Sequence, residues 1–203
     1  MEHIMKLIVL EGIDGSGKQT QANLLSEHMN NHKRDTLTLS FPNYDSPYGK
    51  LIRQYLDGGL DLSQFELNNT YSSDRYYVMP LIEDILKTHN LILDRYTPSN
   101  VCYGAFNGDT PERIKAIDQF LPKPDLVILI DVDPVLIDDR IKDDDKDKVE
   151  KNIEYLQKVR RNYLIQYYTN ESTWRLVNGV QRQKEIHKQI VEIVDELFKN
   201  AQT

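Results

Sequence analysis

The sequence predicts an α/β domain in three layers, a five-stranded parallel sheet flanked by helices. Three observations carry that expectation. Short apolar runs alternate with longer amphipathic stretches along the chain. Three of the runs are nearly continuous in apolar residues, as parallel strands buried on both faces are. The 203 residues are 39% hydrophobic, enough for one sizeable core, and at ~150 residues per domain they amount to about one domain. No internal repeat, low-complexity linker or composition break divides residues 1–203, which read as a single domain.

The elements follow in order. Met5 to Leu10 is the first strand, and Gly17 to Asn30 a helix with Ala22, Leu25 and Met29 on one face. Thr36 to Phe41, Leu91 to Leu93, Leu126 to Ile130 and Trp174 to Val177 are the remaining strands. Asp133-Pro134 reads as a helix N-cap with proline at the first helical position. Glu185 to Phe198 closes the chain as a helix, with Ile186, Ile190, Ile193 and Leu197 at helical spacing. Between Asp138 and Asp147 six aspartates interleave with Arg140, Lys142 and Lys146, a run with no apolar face that reads as a solvated, mobile excursion between two helices.

Composition excludes several classes. Twenty-five Lys and Arg against 32 Asp and Glu leave a net charge of −7, which argues against non-specific nucleic-acid binding but leaves room for a local basic pocket. Cys102 is the one cysteine, so no internal disulfide forms and a reducing, cytoplasmic compartment is expected. No apolar run approaches the ~18 residues that cross a membrane, and the start of the chain leaves no room for a signal peptide before the first strand.

The chemistry begins after the first strand. Gly12-Ile13-Asp14-Gly15-Ser16-Gly17-Lys18-Gln19-Thr20 has the spacing of a phosphate-binding loop between strand and helix. Glycines let successive N–H groups converge on phosphate oxygens, the helix N-terminus adds to the attraction, and Lys18 brings a full charge. The position after the lysine, usually Ser or Thr with its hydroxyl on Mg²⁺, is Gln19, a poorer ligand. Either water and nucleotide oxygens hold the metal, or Thr20 assists. Asp94 ends an apolar strand, where a carboxylate can orient Mg²⁺ through water; Asp131 and Asp133 are its rivals.

Several ordered segments together resemble the thymidylate kinases, P-loop kinases that phosphorylate dTMP. They are Glu11 to Lys18, Phe41-Pro42 with Tyr44, Tyr71 to Arg75, Leu93-Asp94-Arg95-Tyr96 with Ser99, Asn100 and Tyr103, and Leu121 to Leu126. The resemblance runs from Lys6 to about Val194 and implies a P-loop kinase fold with a short lid at about 140–150. It implies ATP as donor, Mg²⁺, dTMP as acceptor and a homodimer. It also implies that Arg75 and Asn100 meet the base, Phe41, Tyr44 and Tyr71 line it, and Asp14 meets the sugar 3′-hydroxyl or metal-bound water. Tyr103 would stand where a ribose 2′-hydroxyl would clash.

From the residues alone, Arg75 could be an exposed helix arginine, and Phe41 a core aromatic. Asn100 can both donate and accept, so it could serve the base N3–H and a neighbouring oxygen. Arg95 can hold the acceptor phosphate or neutralise charge developing on the transferred phosphoryl. Relatives place a further arginine in the phosphate loop, where this chain has Gly15, or in the lid, where Lys148 stands within Asp147-Lys148-Val149-Glu150. Arg140, Lys142, Lys146 and Lys148 are the cations left for that part.

Overall fold

The computed structural model describes residues 5–105, 109–137 and 153–200. Five strands, β1 (Leu7–Glu11), β2 (Thr36–Ser40), β3 (Asn90–Asp94), β4 (Leu126–Asp131) and β5 (Trp174–Asn178), form one sheet in the order β2-β3-β1-β4-β5. Every pairing is parallel. Around it pack α1 (Lys18–Asn31), α2 (Pro47–Leu56), α3 (Gln64–Ile85), α4 (Thr97–Gly104), α5 (Pro111–Ile117), α6 (Ile153–Thr169) and α7 (Gln183–Asn200).

The expected strands are present, with one systematic difference. The sequence reading ends four of them at their last apolar residue, and the ladder continues to a polar one: Glu11, Asp94, Asp131 and Asn178. The second strand instead ends at Ser40, one residue before Phe41. All five polar ends lie at the carboxyl edge of the sheet, where open parallel sheets bind their ligands. The central position of β1 explains its wholly apolar interior, since Leu7, Ile8, Val9 and Leu10 are buried between β3 and β4.

Backbone chemistry fixes the elements around that edge. Gly12 leaves β1 with φ 149°, and a Cβ there would stand 2.6 Å from the Ile130 carbonyl oxygen, so only glycine lets the loop pass β4. Gly17 caps α1 in the left-handed region at φ 90°. Asp133 accepts from the Val135 amide at 3.0 Å, as a capping residue before Pro134 should, and here it opens a single 3₁₀ turn, Pro134–Leu136. Ser63 and Glu66 cap each other at the start of α3. The acidic excursion, with Arg140, Lys142, Lys146 and Lys148, lies outside the described residues.

Candidate active site

Two neighbouring constellations occupy the carboxyl edge. The first is the phosphate loop. Lys18 is buried at 6% exposure and folds its ammonium back onto the Ile13 carbonyl at 2.9 Å and the Ser16 hydroxyl at 3.5 Å. Its charge therefore lies over the loop, where phosphate oxygens would replace those neutral acceptors. Gln19 and Thr20 are exposed on the first turn of α1.

Arg95 follows β3 in the left-handed region, at φ 67°. That backbone turn is uncommon for a side chain as large as arginine, and it aims the guanidinium back at the loop. The guanidinium donates to the Gly12 carbonyl at 3.3 Å, the Ser99 hydroxyl at 3.2 Å and the Asp14 carboxylate. Tyr103 donates to the other Asp14 oxygen at 2.9 Å and lies under the Arg95 cation. A carboxylate inside an anion-binding loop is thus already balanced before any ligand arrives. Burial works against the Arg95 charge, yet Tyr103, Tyr163 and Glu11 outweigh it and raise its pKa.

Beneath Arg95 sits a residue whose role the sequence reading did not assign, Glu11. Its fully buried carboxylate accepts from the Tyr96 amide (2.9 Å), the Ser99 amide (3.2 Å), the Ser99 hydroxyl (2.7 Å) and the Tyr163 hydroxyl (2.8 Å). A buried charge survives only with such a set of donors. The signal for Glu11 was available, as a charge closing an apolar strand directly before the loop glycine. Tyr163 gave none, because 152 positions separate it from Glu11.

The rival carboxylates at the strand ends separate cleanly. Asp131 takes two hydrogen bonds from Arg160, at 2.7 and 2.9 Å, and Asp133 takes a third at 2.8 Å. Asp94 instead has a buried Oδ1 with no partner. Burial pushes its pKa above the ordinary value; the Lys18 ammonium pulls it back in part, and Glu11 adds to the rise. A lone buried carboxylate oxygen beside a phosphate loop suits a hydrated divalent cation better than a full protein cage.

The second constellation lies between α3 and α4. Arg75 is 2% exposed in the middle of α3, so the exposed-arginine alternative fails. Its Nε and Nη1 have no hydrogen-bond partner, and Asp118 stands 3.7 Å from Nη1. Asn100 donates to Ser72 Oγ at 2.9 Å, Asp118 Oδ2 at 3.3 Å and the Asn68 carbonyl at 3.4 Å. Its donor half is therefore spent and only Oδ1 is left over, which corrects the expectation that it could also donate to a ligand. The Tyr96 hydroxyl is likewise buried and unpartnered. Phe41 is buried with the core at 5% exposure, and the Arg75 guanidinium lies over its ring at 6.0 Å. Tyr71 is half-buried one helical turn before Arg75, while Tyr44 is exposed with Arg53 over its ring at 5.6 Å.

Asp74 anchors the segment that follows β2 and carries Phe41. Its carboxylate accepts from the Asn43 amide at 2.7 Å and from the Ser46 hydroxyl. Burial raises its pKa, while Ser46, Asn43 and Arg75 oppose that rise.

Comparisons with known proteins bear on the fold and the family. The family model described as thymidylate kinase matches residues 10–190. A thymidylate kinase of Schizosaccharomyces pombe is 33% identical over 198 residues, covering 93% of this chain and 91% of the relative. One from Dictyostelium discoideum is 31% identical, covering 96% and 87%. A solved thymidylate kinase structure from Candida albicans superposes with a TM-score of 0.79 at 27% identity, covering 95% and 92%. With the phosphate loop, the Arg95 cluster and the Arg75–Asn100 cluster at one edge of a five-stranded parallel sheet, the chain belongs to the thymidylate kinase family of nucleoside monophosphate kinases.

Proposed function

We propose that this chain, as a single domain, transfers the γ-phosphoryl of ATP to dTMP, giving dTDP and ADP. The observation that supports it most is the set of buried polar atoms left unspent beside Phe41: two guanidinium donors of Arg75, the Asn100 carbonyl oxygen and the Tyr96 hydroxyl. A pyrimidine with a carbonyl and an N–H matches that set, since buried polar groups are costly until paired. Phe41, Tyr44 and Tyr71 supply apolar contact to the base.

In this reading residues Gly12 to Thr20 cradle the donor phosphates. An oxygen of the acceptor phosphate attacks the γ-phosphorus as the bond to the β-phosphate oxygen breaks. Lys18 carries charge developing on the transferred group, and Arg95 holds the acceptor phosphate. Asp14, steadied by Arg95 and Tyr103, receives the sugar 3′-hydroxyl, and Tyr103 crowds a 2′-hydroxyl. Asp94 would hold Mg²⁺ through water and Thr20 would assist; bound there, the ion would neutralise phosphate charge. Lys148 takes the place of the lid arginine, with Arg140, Lys142 and Lys146 as neighbouring cations.

The protein acts in the cytoplasm; no described helix is long and apolar enough to cross a membrane. It pairs as a homodimer through α2 and α3. Tyr48 and Leu51 on α2 and Tyr77 and Leu81 on α3 are exposed together, and Tyr48 meets Tyr77 edge-on at 6.3 Å between centroids. Such a contiguous apolar face suits a second copy.

The test is phosphoryl transfer from ATP to dTMP, dUMP, UMP, dCMP, dGMP and AMP. A deoxy-thymine or deoxy-uracil acceptor should lead, and ADP should form only when an acceptor is present. A leading purine, or ADP release without acceptor, refutes the reading. Leu81→Asp should turn a dimer into a monomer in light scattering.

A further inference from the structure

We propose that Asp118 is a specificity-determining residue: by fixing the orientation of the Asn100 side-chain amide, it makes the pocket accept a base that carries N3–H and reject one with a bare N3. The proposal rests on the assignment of the Arg75–Asn100 pocket to the acceptor base.

An asparagine amide offers two N–H donors at one end and a carbonyl acceptor at the other, and its neighbours decide which end points where. Around Asn100 Nδ2 stand Ser72 Oγ, Asp118 Oδ2 and the Asn68 carbonyl. Turning the amide over would set its oxygen against a carboxylate and a carbonyl, neither of which has a hydrogen to give. Ser72 does not discriminate, because a hydroxyl donates or accepts as needed. The carboxylate is the strongest acceptor of the three and so dominates the choice.

The backbone around Asp118 is itself held. Its amide donates to the Ile114 carbonyl at 3.3 Å at the end of α5, and its carbonyl accepts from Leu121 at 3.1 Å. The carboxylate lies 3.7 Å from Arg75 Nη1, beyond hydrogen-bonding distance, so it balances the guanidinium charge and leaves Nε and Nη1 without partners. One residue thus leaves both groups unspent in chosen senses: Arg75 offers donors, and Asn100 offers an acceptor.

The consequence is selectivity by mismatch. Thymine and uracil bring N3–H to Asn100 Oδ1 and carbonyl oxygens to Arg75. Cytosine brings a lone pair at N3 to the Asn100 oxygen and an amino group in place of one carbonyl, so like meets like twice. A site built on polar pairing rejects a mispaired ligand far more strongly than an apolar pocket does.

Asp118→Asn tests this, because it keeps the shape and supplies an N–H₂ that a turned-over Asn100 can accept from. Dissociation constants for dTMP and dCMP are measured by calorimetry on wild type and variant. The dTMP preference over dCMP is expected to fall by at least ~5-fold in Asp118→Asn, with ATP affinity unchanged. A smaller fall, with dTMP still bound, overturns the role of Asp118. Failure of wild type to bind dTMP would instead refute the acceptor assignment itself. Should Asp118→Asn not fold, wild type answers through the Asn100 side-chain amide protons, identified by their loss in Asn100→Ala. They should exchange slowly with solvent, both free and with dTMP bound. Fast exchange overturns the proposal.

Discussion

Replacing Arg75 by lysine separates binding from folding at one position. The guanidinium is 2% exposed, and two of its nitrogens, Nε and Nη1, bond to nothing in the protein. Lysine keeps the charge facing Asp118, 3.7 Å away in the parent, and loses the planar fork. On the proposed function, the Nε and Nη1 donors removed serve the base, since neither has a hydrogen-bond partner in the protein. Losing one charge-assisted hydrogen bond to the base costs about 1.5–3 kcal/mol, or roughly 10- to 150-fold in dTMP affinity. Stability should barely change: a domain of this size moves ~2–4 °C per kcal/mol, and no protein hydrogen bond at those two nitrogens is lost. Titration calorimetry with dTMP, steady-state KM for ATP and a thermal scan give the three readings. Unchanged dTMP affinity would refute the reasoning, and so would a Tm that falls together with ATP affinity, since Arg75 would then be a structural residue.

Asp94→Asn should abolish most transfer yet melt above the parent near neutral pH. The folded-state pKa of Asp94 is raised, so ionising it destabilises the native state as pH climbs, and the gap should close in acid, where the parent carboxyl is protonated; a gap that widens on acidification would reverse the sign. Tyr163→Phe removes one of four donors to Glu11, about 1.5–3 kcal/mol for a bond to a buried charge, which lowers Tm by ~3–12 °C in a calorimetric scan; an unaltered Tm would show that Glu11 does not need it. Lys18→Ala should cost at least ~10²-fold in kcat, and activity within threefold of the parent would move the donor site elsewhere.

What the sequence disclosed follows from whether a residue's partner lies nearby in the chain. The phosphate loop was legible because its glycines, Lys18 and the flanking strand and helix are contiguous. The strands were legible by hydrophobic runs, and their ends were missed where Glu11, Asp94, Asp131 and Asn178 carry the ladder one polar residue further. Periodicity sees apolar side chains only, yet those polar ends make the functional edge. The sequence favours Asp94 through the adjacent Arg95 and sets Asp133 aside as a cap, but it could not show that Arg160, on α6, neutralises both Asp131 and Asp133. For the same reason Asn100 read as bifunctional until Asp118 and Ser72, 18 and 28 positions away, were seen to consume its donors.

The Glu11 junction also bears on the order in which the chain assembles. Its carboxylate draws donors from positions 96, 99 and 163, sequence separations of 85, 88 and 152. Until the start of α4 and the middle of α6 both arrive, closing the carboxyl end of β1 would strand a naked charge, which is prohibitively costly. The apolar interiors, Leu7 to Leu10 of β1 and Leu91 to Leu93 of β3, can pair beforehand without penalty, since they carry nothing that needs those donors. Completion of the carboxyl edge is therefore expected to trail the pairing of the apolar strand interiors. In hydrogen exchange, the amides of Tyr96 and Ser99 should become protected together with α6 and after the core of β1 and β3.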